Sequence, residues 1–198
     1  MICHNSVPTP FGEVTVLYHD NPFLLIEILL PRENRKNLAQ ATPRRKQGNT
    51  VAHQKVLLVL GSISDYFKGK PIQPPWEWMD LSRYTNLQRS VLGATADISY
   101  GQLRSYREIA EAIGRPRAYR FVGTTLAKNR FPILIPCHRV VKSNFSIGQF
   151  SGGADLKRKL IETETTISGL APKARFPKST QVKMIRKQRI HIARLNKL

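Results

Sequence analysis

A chain of 198 residues, 41% hydrophobic and 23% charged, is long enough to bury a core without disulfide or metal staples, which excludes a mini-protein. Lys and Arg number 32 against 13 Asp and Glu, a formal net charge of +19, and so large an excess points to acidic partners. The most apolar run, Phe23 to Leu30, is interrupted by Glu27 and far too short to span a bilayer, so no membrane partner is expected. Two cysteines, Cys3 and Cys137, give no disulfide framework, and the first residues carry neither a basic nor an apolar signal region; a reducing intracellular location is expected.

Glu13 to His19 alternates, with Val14, Val16 and Tyr18 on one face, and Phe23 to Leu30 follows an Asp-Asn-Pro turn, a pattern that predicts a β-hairpin. Residues 32–50 read as a solvated loop. Gln54 to Phe67 spaces Val56, Leu57, Leu60, Ile63 and Phe67 as a helix that covers the hairpin. The Gly-Lys-Pro-Ile-Gln-Pro-Pro stretch after it cannot continue a helix, and residues 68–84 read as a linker between an N-terminal α/β domain, 1–67, and a second domain, 85–167. Thr85 to Gln88 and Ser105 to Glu108 are capping boxes, each opening a helix. The second helix, with Ile109, Ala110 and Ile113 inward, stops at Gly114; Pro116 starts another with Ala118, Val122 and Leu126 one turn apart. Two short helices joined at a glycine form a helix-turn-helix. Pro132 to Pro136 reads as a buried extended segment that delivers Cys137, His138 and Arg139 to its end, and a last helix runs from about Ala154 to Thr163. The fold class expected is α/β in the α+β sense: a small sheet with a helix, then a mainly helical domain.

The charge is not spread evenly. No acid lies between Glu111 and Asp155, a stretch with seven basic residues, Arg115, Arg117, Arg120, Lys128, Arg130, Arg139 and Lys142. A second acid-free stretch follows Glu164 and carries nine. Two such blocks form an electrostatic footprint for nucleic acid or anionic lipid, and the first covers the second helix of the helix-turn-helix. The basic tail, 168–198, with Ile185, Ile192 and Leu195 in partial helical register, reads as an arm adding nonspecific phosphate attraction, or as an end without a role.

By itself a cysteine after an apolar segment is a small buried hydrophobe. Its neighbours argue for more: His138 can take or relay the thiol proton, Arg139 and the lack of carboxylates favour a thiolate, and Pro136 fixes the approach. Glu164, expected in the last turn of its helix where the dipole disfavours negative charge, is a candidate to orient a histidine; a solvated helix end is the other reading. Cys3, His4, His19 and His53 are poorly spaced zinc ligands, and no metal or other cofactor is expected.

Ile133 to Val141, Ile-Leu-Ile-Pro-Cys-His-Arg-Val-Val, resembles the active-site signature of the O6-alkylguanine-DNA alkyltransferases, or methylated-DNA–protein-cysteine methyltransferases. The likeness runs from Tyr66-Phe67-Lys68-Gly69 through Asp80-Leu81-Ser82, Gln88, Ser105-Tyr106, Ile113 to Pro116, Arg120, Val122-Gly123 and Asn129 to Ser151-Gly152-Gly153, Lys157 and Glu164, and does not reach the tail. The resemblance implies a ribonuclease H-like N-terminal domain and repair of DNA by direct reversal. Cys137 would accept the alkyl group of O6-alkylguanine, with O4-alkylthymine as a second candidate lesion, in one irreversible turnover. His138 would be the base, Glu164 its orienting partner, and Asn129 the brace of the preceding turn. Tyr106 and Lys157 would stabilise charge on the departing guanine. Arg120 would replace the flipped base in the stack, and Arg117, Phe121, Gly123, Thr124 and Lys128 would lie along the DNA with Tyr106. Val140, Phe150 and Ser151 would line the guanine pocket, with Gly152-Gly153 permitting close approach. The implied partner is duplex DNA bound by a monomer, in the cytoplasm and nucleoid or in a nucleus.

The chain departs from the family at Phe121 and Thr124, which add bulk on the DNA-facing helix, at Arg130 in place of the proline common after Asn129, at Phe150 in place of tyrosine, and at Phe145-Ser146. Two other functions compete: a noncatalytic lesion-binding protein, against which Cys137 itself argues, and a thiol hydrolase, which leaves the basic blocks unexplained.

Overall fold

The computed structural model describes residues 2–31, 42–43 and 50–169. The basic tail from 170 and nearly all of the loop expected at 32–50 lie outside these residues.

Strands β1 (Ile2–Thr9), β2 (Gly12–His19), β3 (Leu24–Leu29) and β4 (Thr42–Pro43) form one sheet in the order β3-β2-β1-β4. The expected hairpin is the antiparallel pair β2 and β3. β1 was not anticipated: it pairs antiparallel with β2 from Ile2–His19 to Thr9–Gly12, while β4 runs parallel to it. Gly12, at φ +119°, makes the tight turn between β1 and β2 that a side chain would strain.

Helix α1 (Val51–Tyr66) packs on the sheet through Ala52, Val56, Val59, Ile63 and Tyr66. It begins earlier than the apolar spacing suggests because Thr50 caps it, its hydroxyl accepting from the His53 N–H at 3.2 Å. Leu57, expected inward, is 51% exposed. The run from Val56 to Leu60 is apolar on every side and cannot fix the phase, which the stripe ending at Tyr66 decides. Within residues 68–84 the chain touches β3 after a 3-10 turn at Trp76–Trp78, where Met79 bridges to Leu25 and the Asp80 N–H donates to the Leu25 carbonyl at 2.8 Å.

Both capping boxes are made as expected, opening α2 (Asn86–Ala96) and α3 (Tyr106–Ala112). α3 ends at Gly114, φ +68°, and α4 (Tyr119–Ala127) follows, three residues later than Pro116 because a turn intervenes. Val122 and Leu126 are buried against α2 and α3, completing the helix-turn-helix. Strands β5 (Arg104–Ser105) and β6 (Val140–Val141) pair in parallel, tying the start of α3 to the segment after Cys137.

The segment 132–136 is buried but is not extended. Pro132 and Pro136 offer no N–H to a ladder, Ile133 takes φ +74°, and the Ile135 N–H returns to the Phe131 carbonyl at 2.8 Å. The chain therefore turns, and Cys137 opens a 3-10 helix, Cys137–Arg139. α5 (Gly153–Ser168) is longer than expected, ending at Gly169 in the left-handed region. Glu164 thus sits before the last turn, and the helix dipole bears on it less than its expected place implied.

The expected α+β class is the one observed. The main apolar core runs from the sheet through Ile63, Leu92, Val122, Leu134 and Leu160, with smaller clusters around Leu17, Ile26 and Leu29 and around Leu103, Val141 and Ile161. Gly69, at φ +79°, marks how tightly α1 and α5 meet, since a Cβ there would run into Cγ2 of Ile167. Gly69→Ala combines a disfavoured backbone with a clash, and urea unfolding is expected to show a loss of about 2 kcal/mol.

Candidate active site

Turn 128–131 is the platform of the site. The Tyr84 hydroxyl donates to the Lys128 carbonyl at 2.8 Å and accepts the Arg130 N–H at 3.0 Å. This leaves Asn129 pointing inward, buried, with its Oδ1 accepting the Phe131 N–H at 3.0 Å. Its Nδ2 donates to the Ile135 carbonyl at 3.0 Å and to Cys137 Sγ at 3.1 Å. Asn129 therefore does more than brace the turn: it aims an N–H at the sulfur, where it stabilises negative charge. Cys137 is only 4% exposed.

Behind Cys137 lies a buried polar cluster. His138 Nε2 is 2.6 Å from Glu164 Oε1, and the same oxygen accepts from the Tyr66 hydroxyl at 2.8 Å. Glu164 Oε2 accepts the Gly101 N–H at 2.9 Å. Arg139 Nε reaches both carboxylate oxygens, at 3.1 and 3.0 Å, and its Nη1 donates to the Ile98 carbonyl at 2.5 Å. Arg139, which the sequence suggests as a cation near the thiol, is thus hydrogen-bonded to Glu164, as a buried guanidinium requires a buried carboxylate.

The electrostatics follow from these partners. Burial alone would raise the Glu164 carboxyl, but the charges and hydrogen bonds of His138 and Arg139 more than offset it and hold it at about 2. Burial lowers His138, against the pull of Glu164, so the ring is neutral. An ionised carboxylate only accepts, so Nε2 carries the ring proton and Nδ1 is left with its lone pair, the form a base requires. Burial also pushes the Tyr66 hydroxyl well above its ordinary range, and it remains a donor.

Lys157 is fully buried, its Nζ donating to the Val140 carbonyl at 2.6 Å and standing 5.8 Å from the Tyr106 ring centre. Burial lowers it to about 8, with the negative charge of Cys137 opposing. Tyr106 is half-buried and its hydroxyl lies against Gly148, where a Cβ would collide with it. Of the expected pocket residues, Val140 is buried, Phe150 is half-buried with its ring 6.4 Å from that of His138, and Ser151 is exposed. A cavity of about 610 Å³ lies elsewhere, between α2 and α3, lined by Ser90, Asp97, Arg104 and Glu108 among others.

The remaining expected residues lie on or beside α4. Arg117, Arg120, Thr124 and Lys128 are exposed. Gly123 is half-buried, the position of a Cβ falling 3.9 Å from the Tyr106 ring. Phe121 is half-buried and packs on the core, so its bulk is turned partly away from the outer face where it was expected. Among the described residues no three His, Cys, Asp or Glu side chains group as metal ligands.

The family described as 6-O-methylguanine DNA methyltransferase, DNA binding domain, matches residues 86–166. The methylated-DNA–protein-cysteine methyltransferase of Methanosarcina barkeri is 42% identical over 164 residues, 81% of this chain and 96% of the relative. The chain belongs to this family of methyltransferases. The Mycobacterium tuberculosis protein of the same name is 31% identical over 164 residues, 83% of this chain and 93% of the relative. The crystal structure of Mycobacterium tuberculosis OGT in complex with DNA is 30% identical, has a TM-score of 0.66, and is matched over 83% of this chain and 93% of its own. The family's activity, DNA repair by alkyl transfer to a cysteine, is the activity of this chain.

Tyr66, Gly101 and the true partner of Arg139 were not singled out from the sequence. Tyr66 had a signal: it closes the buried stripe of α1, and a buried tyrosine hydroxyl requires a partner. Because Glu164 is held well below its unfolded value of 4.5, at about 2, it stabilises the fold above that value, and the contribution fades as the pH falls between the two. Comparing urea midpoints of wild type and Glu164→Gln from pH 6 downward should show a wild-type advantage that shrinks through this window.

Proposed function

We propose that Cys137 is the alkyl acceptor and O6-alkylguanine in duplex DNA the substrate, O4-alkylthymine being a second lesion of the same chemistry. The observation that carries this reading is the amide donor Asn129 Nδ2 held 3.1 Å from Cys137 Sγ, with the ordered His138–Glu164 pair, 2.6 Å apart, on the residue that follows. The thiol proton passes to His138 Nδ1 through a bridging water, as Glu164 holds the tautomer. Sulfur attacks the carbon on O6; the S–C bond forms as the C–O6 bond breaks, and its electron pair stays on the guanine. Tyr106 and Lys157 stabilise that charge, and a proton returned to the base completes guanine. The product thioether is stable, so each molecule turns over once and no cofactor is consumed.

A sulfur so deeply buried cannot reach a base within a helix, so the lesion must flip out at a cost of about a few kcal/mol. Arg120, exposed on α4, is the side chain proposed to fill the gap, with Arg117, Thr124 and Lys128 along the phosphates and Val140, Phe150 and Ser151 around the guanine. We further assign 1–67 and 85–167 as the two domains, and a monomer as the binding unit. A protein that only binds the lesion would have no use for a donor aimed at a buried thiol.

Incubated with a duplex containing O6-methylguanine, the protein is expected to gain one methyl group, mapped by peptide mass to Cys137 and saturating near one per molecule. Cys137→Ser should bind the lesion duplex and transfer nothing; a duplex that keeps its methyl group while wild-type Cys137 stays unmodified defeats the reading. Arg120→Ala should slow repair of duplex by about tenfold, equivalent to about 1.4 kcal/mol of lost flipping assistance, and repair of single strands much less. Equal losses on the two substrates would remove Arg120 from the flipping step.

A further inference from the structure

Arg130 occupies the position where the family commonly has proline, immediately after the asparagine that contacts the sulfur. A proline would stiffen that turn by fixing φ, which an arginine cannot do. What Arg130 supplies instead is a bridge between the two halves of the chain. Its Nη2 lies 3.4 Å from Glu27 Oε2 on β3, and its Nη1 3.9 Å from Asp80 Oδ2. Asp80 is itself anchored to β3 through its N–H, and its Oδ1 is engaged by Ser82, leaving Oδ2 toward the guanidinium. The Arg130 carbonyl accepts the Ile28 N–H at 2.8 Å, so backbone and side chain grip the same strand.

These pairs differ from the others on the surface. The Arg130 side chain is 17% exposed and those of Glu27 and Asp80 19%, whereas Lys68 and Lys70, which pair with Asp65, are 62% and 60% exposed. Exposed pairs of that kind restrain little, while partly buried pairs, less screened by water and salt, that reach across from another element can hold a loop. The next residue back is Asn129, whose Nδ2 has to meet both the Ile135 carbonyl and Sγ; a small rotation of the turn would give up one of them.

We propose that Arg130 is a positioning residue: its ion pairs with Glu27 and Asp80 clamp the 128–130 turn to β3 and thereby keep the Asn129 amide on the Cys137 sulfur. The N-terminal sheet then takes part in the transfer step without touching DNA or lesion. The kinetic consequence rests on Cys137 being the acceptor; the structural one does not.

The test uses the full chain with 15N-labelled asparagine, comparing wild type, Arg130→Gln, Arg130→Lys and Glu27→Gln. In Arg130→Gln the Asn129 side-chain amide resonance should move and broaden. Methyl transfer at saturating lesion duplex should slow by about tenfold, as expected for a displaced contact to the reacting atom, with an unchanged half-saturating DNA concentration. Arg130→Lys should restore the rate to within about threefold, and Glu27→Gln should move the same resonance from the opposite side of the ion pair. An Asn129 resonance unmoved in Arg130→Gln, or an unchanged saturating rate, overturns the clamp and leaves the turn to its backbone contacts with Tyr84 and Ile28. If wild type transfers no methyl group to Cys137, the functional reading fails separately, and the Asn129 resonance still decides the clamp.

Discussion

The carboxylate of Glu164 is the constraint on which the rest of the site depends. A full negative charge in the core costs several kcal/mol unless it is paired and every lone pair is used, and here it receives hydrogen bonds from Tyr66, Gly101, His138 and Arg139. The four donors come from three places in the chain: the end of α1, the loop before β5, and the turn carrying Cys137, which supplies both His138 and Arg139. Satisfying one charge therefore joins α5, α1 and the cysteine turn into a single rigid unit. Its catalytic consequence is indirect but specific. With Arg139 balancing the charge, His138 has no need to be protonated, and a neutral imidazole with its Nε2–H engaged keeps the Nδ1 lone pair that the proposed base role requires.

The cysteine turn obeys a second constraint, the need to place sulfur without a strand to carry it. Two prolines remove ladder donors, Ile133 is held in a left-handed conformation that a β-branched residue avoids, and the Asn129 amide takes over the Ile135 carbonyl. That strain persists because apolar side chains on all sides over-determine it, Phe131, Leu134 and Ile135 being almost wholly buried. Asn129 is where the two constraints meet, since the same side chain shapes the turn and faces the reacting atom. The fold thus stabilises a contact to the sulfur that the proposed chemistry would use.

What was legible in the sequence had local causes. Capping boxes at Thr85 and Ser105 specify their own hydrogen bonds within four residues, and the glycine at 114 permits the left-handed end of α3. The cysteine, its histidine and the distant Glu164 were legible as a candidate triad through the signature around Cys137. What was not legible depends on contacts far along the chain. β1 has no clean alternation and exists as a strand because β2 and β4 flank it. The segment 132–136 has a strand's composition, but the donors that could make it one are missing. Arg139 was credited with the thiol because the two are neighbours in sequence; its true partner lies 25 residues away, and only the packing of α5 brings it there.

The same long-range pairing revises what the charge of the chain means. The acid-free block from Arg115 to Lys142 looks like a uniform basic footprint, but two of its members are internal: Arg139 is spent on Glu164, and Arg130 faces Glu27 and Asp80. The carboxylates that neutralise them come from other parts of the chain, which is why the block appears acid-free in sequence. Arg115, Arg117, Arg120, Lys128 and Lys142 remain exposed. These five are the ones available to phosphate, and three of them lie on or immediately beside α4. With the nine basic residues of the tail they leave the chain a large excess of positive charge, and attraction of that kind to phosphate is salt-sensitive and carries no sequence information. Such attraction cannot by itself tell damaged from undamaged DNA, so discrimination has to come from the site around the cysteine.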